Sequence, residues 1–362
     1  MTAAPLRVAV LGAGTVGREV VRALTEWPDR LAPEGAVSLE LTGIAVRDVQ
    51  RARERGMPLA LLTDAPAHLV ADPQTDVIVE LIGGDEPART LIAAALAAGK
   101  SIVTANKHVI AHHGAELEAI ARQTGAQLRF EASVGGGIPV LGPLASDLAA
   151  NRVTAVRGIV NGTTNYILTA MTEDRRDYDE VLAAAQAAGY AEADPAGDVE
   201  GHDAVNKLVI LARLAYGVWL DPADVAIAAA DGPGRGRPGI TGVGSAEIEA
   251  AAADGMVVKL VAVAERSPGE DAPTASVLAR LVPAESPLGR TSGVLNRIEI
   301  DAEPVGTVAF SGPGAGGPAT SSAVLGDLMA IARGAGSTWA GLPPAARLAG
   351  GTRMARMARV AR

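Results

Sequence analysis

Asp203 and Lys207 lie four positions apart near the middle of the chain. Apolar residues recur around them at helical spacing, so both side chains share one face of a predicted helix from about residue 203 to 216. An exposed pair of this kind would only stabilise the helix, by roughly 0.3–0.5 kcal/mol. Next to the apolar face, the same pair could bind an amine and supply a proton.

Acidic residues accumulate just before this helix. Five of them, Glu192, Asp194, Asp198, Glu200 and Asp203, fall within twelve residues. A cluster of carboxylates that leads into a lysine fits a cationic amine bound beside a proton donor. The segment therefore indicates an amino-acid-like substrate.

A Gly-x-Gly-x-x-Gly motif, formed by Gly12, Gly14 and Gly17, follows an apolar run and opens a helical pattern. The first glycine allows a tight turn, the second lets the backbone approach a pyrophosphate, and the third lets helix and strand pack closely. The N–H groups at the helix start then bind the phosphates. The alternative is a tight turn with no ligand, and the strand, glycines and helix together favour the nucleotide.

The end of the second predicted strand bears on the choice of cofactor. An arginine there would pair with the 2′-phosphate of NADP, whereas an acid would accept hydrogen bonds from the ribose of NAD. Arg47 and Asp48 stand side by side at this point. Arg47 therefore favours NADP, although a solvated arginine with no ligand would give the same sequence. Asp48 leaves NAD as the alternative.

Two further segments follow predicted strands. Thr104 and Lys107 stand at the carboxyl edge of the predicted sheet, where open α/β folds bind ligands, and Lys107 could contact a nicotinamide or a substrate carbonyl. Glu131 precedes three glycines at 135–137, whose backbone could bring carbonyl oxygens together around a hard cation. A flexible hinge between domains fits that spacing equally well.

Residues 161–166, Asn-Gly-Thr-Thr-Asn-Tyr, lie between a predicted strand and a predicted helix. They could cap the helix through Thr163 or Thr164, or orient a small polar substrate. The five histidines show no metal-binding spacing, so no catalytic zinc is expected.

The fold that must position these residues is α/β. Short apolar runs alternate with helical patterns over the first 135 or so residues, which predicts a doubly wound, Rossmann-type nucleotide-binding domain. A mixture of predicted strands and helices after residue 151 indicates an α+β catalytic and dimerisation domain. The predicted domains are 1–150 completed by 312–335, then 151–311, and a loosely ordered tail at 336–362.

Composition limits the class of protein. The 362 residues carry 32 Lys and Arg against 41 Asp and Glu, a net charge of −9 that argues against a nucleic-acid partner. No stretch predicts a signal peptide or a membrane-spanning helix. Cysteine is absent, which excludes disulfides and thiolate nucleophiles and fits a cytoplasmic location.

These motifs together resemble the homoserine dehydrogenase family, in the family's order, across about residues 6–333. The block at 189–212 is highly specific, whereas the glycine motif alone is not. The segments that carry the resemblance are GAGTVG at 12–17, ELIGGDEPA at 80–88, TANK at 104–107, FEASVGGGIP at 130–139, GIVNGTTNYILTAM at 158–171, GYAEADPAGDVEGHDAVNKLVILA at 189–212 and FSGPGAGGPATSSAV at 310–324.

The resemblance implies reversible, NAD(P)H-dependent reduction of L-aspartate 4-semialdehyde to L-homoserine, in threonine and methionine biosynthesis. Lys207 matches the lysine that protonates the aldehyde oxygen, and Asp203 and Glu192 match acids that hold the amino group and hydroxyl side of homoserine. Lys107 and Thr104 match positions near the nicotinamide, and Lys107 is also a candidate substrate contact. The candidate cofactor-binding residues are Gly12, Gly14, Thr15, Val16, Gly17, Arg47, Thr104, Lys107, Gly189 and Gly314.

The resemblance also implies a cation and a partner. Glu131, with the carbonyls of Val134, Gly136 and Ile138, matches a site for Na⁺ or a similar monovalent cation, and the family forms homodimers through its middle domain. Many bacterial members continue into a C-terminal ACT regulatory domain, and this sequence ends before one. We therefore expect the form without that domain, lacking its feedback control by threonine.

Two other functions are compatible with a nucleotide-binding domain of this kind. Phosphorylating semialdehyde dehydrogenases share a nucleotide domain but need a cysteine to form a thioester, so the absence of cysteine excludes them. A catalytically silent NAD(P)-binding sensor of the same fold would keep the glycine motif without turnover. Retention of Asp203, Lys207 and Glu192 favours the enzyme.

Overall fold

The computed structural model describes residues 4–31, 37–267, 269–270 and 272–345. The chain forms two compact units. The first runs to Ser146 and resumes at Ala315–Pro344, and the second contains Asp147–Gly314. The sequence predicts these boundaries at residues 150 and 311, a few positions from the observed ones.

A parallel sheet forms the centre of the first unit. Its strands are Leu6–Leu11 (β1), Leu39–Ala45 (β2), Leu62–Thr63 (β3), Val77–Glu80 (β4), Ser101–Thr104 (β5) and Leu128–Arg129 (β6). Their order is β3-β2-β1-β4-β5-β6, with every neighbouring pair parallel. Strand order reverses beside β1, and open α/β sheets bind ligands at such a point. The predicted Rossmann-type fold is confirmed.

Helices connect the parallel strands, and one further helix follows the last of them. They are Thr15–Glu26 (α1), Pro28–Leu31 (α2), Val49–Glu54 (α3), Pro66–Ala71 (α4), Ala88–Ala97 (α5), Lys107–Thr124 (α6) and Leu141–Ala145 (α7). Helix α6 has clear end signals, because the side chain of Asn106 accepts a hydrogen bond from Val109 N and Gly125 ends the helix at φ +76°.

The second unit is built on an antiparallel sheet. Its strands are Arg152–Ile159 (β7), Met256–Glu265 (β8), Thr274–Pro283 (β9), Leu295–Glu303 (β10) and Gly306–Pro313 (β11), in the order β11-β10-β7-β8-β9. Its helices are Gly162–Asp174 (α8), Tyr178–Ala187 (α9), Ala196–Val199 (α10), His202–Tyr216 (α11) and Ser245–Ala253 (α12). Helices α8 and α11 pack against the sheet, as an α+β unit requires.

Beyond residue 314 the chain completes the first unit. Helix Gly317–Ala332 (α13) packs against α1, and Val324 and Leu328 join the apolar core beneath Val8 and Val10 of β1. Burial of an apolar helix face explains why a segment so distant in sequence returns here.

The sequence predicts a loosely ordered tail from residue 336, but residues 337–339 are packed against the first unit. Thr338 N donates to the carbonyl of Leu128 at 3.0 Å, and Leu128 N donates to Ser337 Oγ at 3.1 Å. Trp339 is buried against the ring of Phe130, with 5.5 Å between ring centroids. These contacts tie residues 337–339 to β6, whereas residues 346–362 lie outside the described chain. No described helix is both long and apolar enough to cross a membrane.

Candidate active site

Lys207 and Asp203 form a buried ion pair on α11. Lys207 Nζ donates to Asp203 Oδ2 at 2.7 Å and to the carbonyl of Val160 at 2.6 Å. The two side chains are only 10% and 12% exposed. The pair is therefore not the solvated surface contact that spacing alone would allow. A partly buried charge-assisted hydrogen bond is also stronger than an exposed one.

Asn161 connects this ion pair to a second acid. Its Nδ2 donates to Asp203 Oδ2 at 2.8 Å and to Asp198 Oδ1 at 2.7 Å. Its Oδ1 caps α8 by accepting hydrogen bonds from the backbone N and Oγ1 of Thr164. The prediction that Thr163 or Thr164 caps this helix is therefore wrong, because the cap is Asn161. An asparagine before the helical run was the signal for this cap.

Asp198 belongs to the acid cluster but is not among the predicted site residues, and the structure brings it to Asn161. Glu192 is exposed, and within the described chain its carboxylate has no hydrogen-bond partner. Its backbone carbonyl accepts a hydrogen bond from Gln186 Nε2 at 3.0 Å. Gly189 ends α9 nearby at φ +76°, also exposed. Asp198 and Asp203 are thus joined by hydrogen bonds beside Lys207, whereas Glu192 and Asp194 are exposed before α10.

Gly314, the last residue of the second unit, leaves no room for a side chain. A Cβ atom there would collide with the amide of Asn296 on β10. Asn296 is fully buried, and neither amide atom has a hydrogen-bond partner within the described residues. Close backbone approach therefore accounts for the glycine.

The glycine motif has the geometry that a bound phosphate needs. Gly12 adopts φ +101°, and a Cβ atom there would lie 2.6 Å from the carbonyl oxygen of Leu81. At Gly17 a Cβ atom would collide with the carbonyl of Gly12, so helix and strand pack closely. Gly14 precedes α1 with open space where a Cβ would stand, and no side chain caps the helix. Thr15 and Val16 then form the first turn, with N–H groups available to an anion.

A cavity of about 390 Å³ opens beside the glycine motif. Four arginine side chains, Arg18, Arg47, Arg51 and Arg55, contribute to its wall. Asp48 also lines it, but its carboxylate accepts a hydrogen bond from Arg51 N at 2.9 Å and so caps α3. The cavity is suited to an anionic ligand.

Thr104 is turned into the protein. It is fully buried, its Oγ1 donates to Glu80 Oε2 at 2.6 Å, and it accepts a hydrogen bond from Asn106 N at 2.9 Å. This hydroxyl therefore makes structural contacts rather than facing a ligand. Lys107 begins α6 and is half-buried.

Glu131 caps a helix. Its Oε1 accepts hydrogen bonds from Val140 N and Leu141 N, both at 2.8 Å, and its Oε2 accepts one from Gly142 N at 2.7 Å. These bonds satisfy the start of α7. Burial raises the pKa of Glu131, and the negative charge of Asp327 adds to this effect.

The glycine turn after Glu131 lies inside the first unit. Gly135 and Gly136 have positive φ, of +71° and +55°, while Val134 and Ile138 are buried. The alternative of a flexible hinge between domains is therefore wrong, since the division of the chain follows Ser146. Among the described residues, no group of three or more His, Cys, Asp or Glu side chains is placed to hold a metal ion. A cation here would depend on carbonyl oxygens.

Comparison with known proteins identifies the family. The family model described as homoserine dehydrogenase matches residues 139–329, and the one described as homoserine dehydrogenase, NAD binding domain, matches residues 12–131. A homoserine dehydrogenase from Corynebacterium glutamicum is 45% identical over 329 residues, which cover 90% of this chain and 72% of that protein. A homoserine dehydrogenase from Bacillus subtilis is 38% identical over 326 residues, with 90% and 72% covered.

Solved structures agree with the sequence matches. The crystal structure of a homoserine dehydrogenase from Thiobacillus denitrificans superposes with a TM-score of 0.85 at 36% identity, covering 92% of this chain and 74% of that one. A hyperthermophilic archaeal homoserine dehydrogenase in complex with NADPH gives a TM-score of 0.73 at 28% identity, with 90% and 97% covered. The resemblance seen in the motifs is confirmed, and the chain belongs to the homoserine dehydrogenase family of NAD(P)-dependent oxidoreductases.

Proposed function

We propose that the chain interconverts L-aspartate 4-semialdehyde and L-homoserine, the step that leads toward threonine and methionine, with Lys207 as the proton donor. The buried contact of Lys207 with Asp203 is the observation that carries this proposal. An ammonium has three N–H donors, and two of them bind Asp203 and Val160. The third is left to meet the aldehyde oxygen of the substrate.

A bound nicotinamide cofactor supplies the hydride in this reaction. Lys207 neutralises the negative charge that develops on the substrate oxygen, and this charge stabilisation is strong in a site with little water. Asp203 and Asp198, held by Asn161, offer carboxylates to the substrate ammonium group. Glu192 and Lys107 are the further substrate contacts that we propose from the motifs.

We propose NADP as the preferred cofactor, with Gly189, Gly314, Thr104 and Lys107 near its nicotinamide end. The arginine-lined cavity supports this choice, since Arg47 and its neighbours offer guanidinium groups to a 2′-phosphate. Asp48, the acid that would favour NAD, uses its carboxylate to cap α3. The NADPH bound in the archaeal relative points the same way.

We also propose a monovalent cation such as Na⁺ at the carbonyls of Val134, Gly136 and Ile138, next to Glu131. Carbonyl oxygens suit a hard cation, and two successive left-handed glycines let the backbone curve around it. Three of the roughly four acceptor positions of the Glu131 carboxylate already hold N–H groups, so at most one remains for a cation. A higher midpoint of thermal unfolding in NaCl than in choline chloride tests for this cation.

A homodimer formed through the second unit and a cytoplasmic location complete the proposal. Exposed large apolar side chains in that unit, among them Leu281, Val294, Leu295 and Val305, support a protein interface there. Light scattering of the purified protein gives the oligomeric state.

One assay tests the reaction. Purified protein is mixed with aspartate semialdehyde and either NADPH or NADH, and oxidation of the cofactor is followed by its absorbance. Consumption of NADPH that depends on the aldehyde supports the enzyme, and faster consumption of NADPH than of NADH at low concentration supports the role of Arg47. Nucleotide binding with no consumption would instead establish the silent sensor.

A further inference from the structure

Glu80 is a buried carboxylate at the end of β4 that the reaction itself does not use. It is 0% exposed. Its Oε1 accepts hydrogen bonds from Ile82 N at 2.7 Å and Gly83 N at 3.3 Å, and its Oε2 accepts one from Thr104 Oγ1 at 2.6 Å. The carboxylate therefore joins the segment after β4 to the end of β5.

Asn106 closes the same network from the other side. Its backbone N donates to Thr104 Oγ1 at 2.9 Å, and its Nδ2 donates to the carbonyl of Gly84 at 2.8 Å. Its Oδ1 caps α6 by accepting a hydrogen bond from Val109 N at 3.1 Å. Two neighbouring strand ends are thus linked twice, through Glu80 and through Asn106.

The two linked segments lie at the carboxyl edge of the parallel sheet. Leu81 and Ile82 line the arginine-rich cavity. Thr104 ends β5, and Lys107 begins α6 three residues later. Open α/β sheets bind ligands at this edge, and Ile82, which bonds Glu80, connects the network to the cavity wall.

The three donors that bond Glu80 account for a carboxylate at this position. Burial raises the pKa of Glu80, and the groups that oppose this effect are hydrogen-bond donors rather than a positive side chain. An apolar residue would avoid the desolvation cost. It would leave the N–H groups of Ile82 and Gly83 and the hydroxyl of Thr104 without their acceptor.

We propose that Glu80 is a positioning residue that fixes the segments 82–84 and 104–107 relative to each other, so that they hold the nicotinamide half of the cofactor. This inference rests on the proposed function, which puts Thr104 and Lys107 near the nicotinamide. Glu80 acts through these segments, because a fully buried side chain does not itself reach a ligand.

Thr104→Val tests the link with almost no change in side-chain volume. It removes the donor to Glu80 Oε2 and the acceptor of Asn106 N, while the bonds from Ile82 and Gly83 to Glu80 remain. Thr104→Ser keeps the hydroxyl and is the matched control. Glu80→Gln is the second variant, since its carbonyl still accepts from Ile82 and Gly83 while its amide cannot accept from Thr104.

Binding of two ligands separates positioning from general damage. The first is NADP⁺, and the second is 2′,5′-ADP, which lacks the nicotinamide half. We expect Thr104→Val and Glu80→Gln to weaken NADP⁺ binding by about tenfold and 2′,5′-ADP binding by less than about threefold. Thr104→Ser, which keeps the hydroxyl that bonds Glu80 and Asn106, should weaken NADP⁺ binding less than Thr104→Val does.

Equal loss of both ligands, or equal NADP⁺ affinity in Thr104→Val and Thr104→Ser, would overturn the role of Glu80. Thermal unfolding of each variant shows that the measurement is made on folded protein. The ratio of the affinities for NADP⁺ and 2′,5′-ADP does not depend on turnover. Failure of the unaltered protein to oxidise NADPH would therefore count against the proposed function and not against the network.

Discussion

Nζ of Lys207 lies 2.7 Å from Oδ2 of Asp203, one helical turn away, with both side chains close to nine-tenths buried. Placing an ammonium in such a position requires the paired carboxylate, because a lone buried charge is costly. In the reaction that we propose, the pair is therefore in place to supply a proton before substrate arrives.

Replacement of Lys207 tests this role directly. We expect Lys207→Ala to lower kcat for NADPH oxidation by about 10²–10⁴-fold, the usual contribution of a general acid. Lys207→Arg should not restore it, because a guanidinium does not give up its proton. Lys259→Met is the matched control, since Lys259 is also a buried lysine of the second unit but bonds only neutral groups. Loss of less than about tenfold in Lys207→Ala would remove Lys207 as proton donor.

Asn161→Ser separates the two tasks of Asn161. Serine caps helices about as well as asparagine, so the free energy of unfolding should fall by less than about 1 kcal/mol. The donor to Asp198 and Asp203 is lost, and we expect KM for homoserine to rise by about tenfold because the two acids lose their common anchor. Asn161→Ala, which loses the cap as well, should show the same KM and a lower stability. An unchanged KM in both variants would show that Asn161 serves α8 alone.

Arg47→Ala should change the cofactor preference. A charge-assisted hydrogen bond to a 2′-phosphate contributes about 1.5–3 kcal/mol, so KM for NADPH should rise by about 10–100-fold, with KM for NADH little changed. Arg53→Ala is the control, because Arg53 is exposed on α3, which begins two residues after Arg47, and is not part of the cavity wall. Parallel changes for both cofactors would assign Arg47 to general attraction of the nucleotide instead.

Lys259 predicts an alkaline dependence of stability. Burial lowers its pKa from 10.5 to about 8, only partly offset by the charge of Glu173. Between these two values the unfolded chain binds a proton that the native protein does not, so the free energy of unfolding should rise as pH increases from 8 to 10.5. Denaturant unfolding across this range measures the rise, and Lys259→Met should reduce its slope. A slope equal in the two proteins would contradict the burial effect.

Local patterns in the sequence were sufficient for several parts of the molecule. The glycine motif predicted its own turn because the contacts that require glycine are made by nearby backbone. A Cβ atom at Gly17 would meet the carbonyl of Gly12, and one at Gly12 would meet the carbonyl of Leu81, just after the neighbouring strand β4. The spacing of Asp203 and Lys207 fixed their common helical face. Short elements such as β3, with two residues, have too few positions to show a periodic pattern of apolar residues, so the sequence does not reveal them.

Contacts between distant segments could not be predicted in this way. Glu80 meets Thr104 only because β4 and β5 are neighbours in the sheet, and Asn161 meets Asp198 across 37 positions. Nor does composition reveal that Thr104 turns inward, since a threonine at a strand end is compatible with either direction. Strand order and packing decide these contacts, and a single sequence does not state them.

The return of the chain to its first unit has a consequence for synthesis. The strands of the nucleotide-binding sheet leave the ribosome early, but α13, which joins their apolar core, follows more than three hundred residues into the chain. The strands and helices described for the second unit lie between Asp147 and Gly314 and are all synthesised before α13. Because domains fold as units during translation, we expect the second unit to fold before the nucleotide-binding sheet has the core residues that α13 supplies.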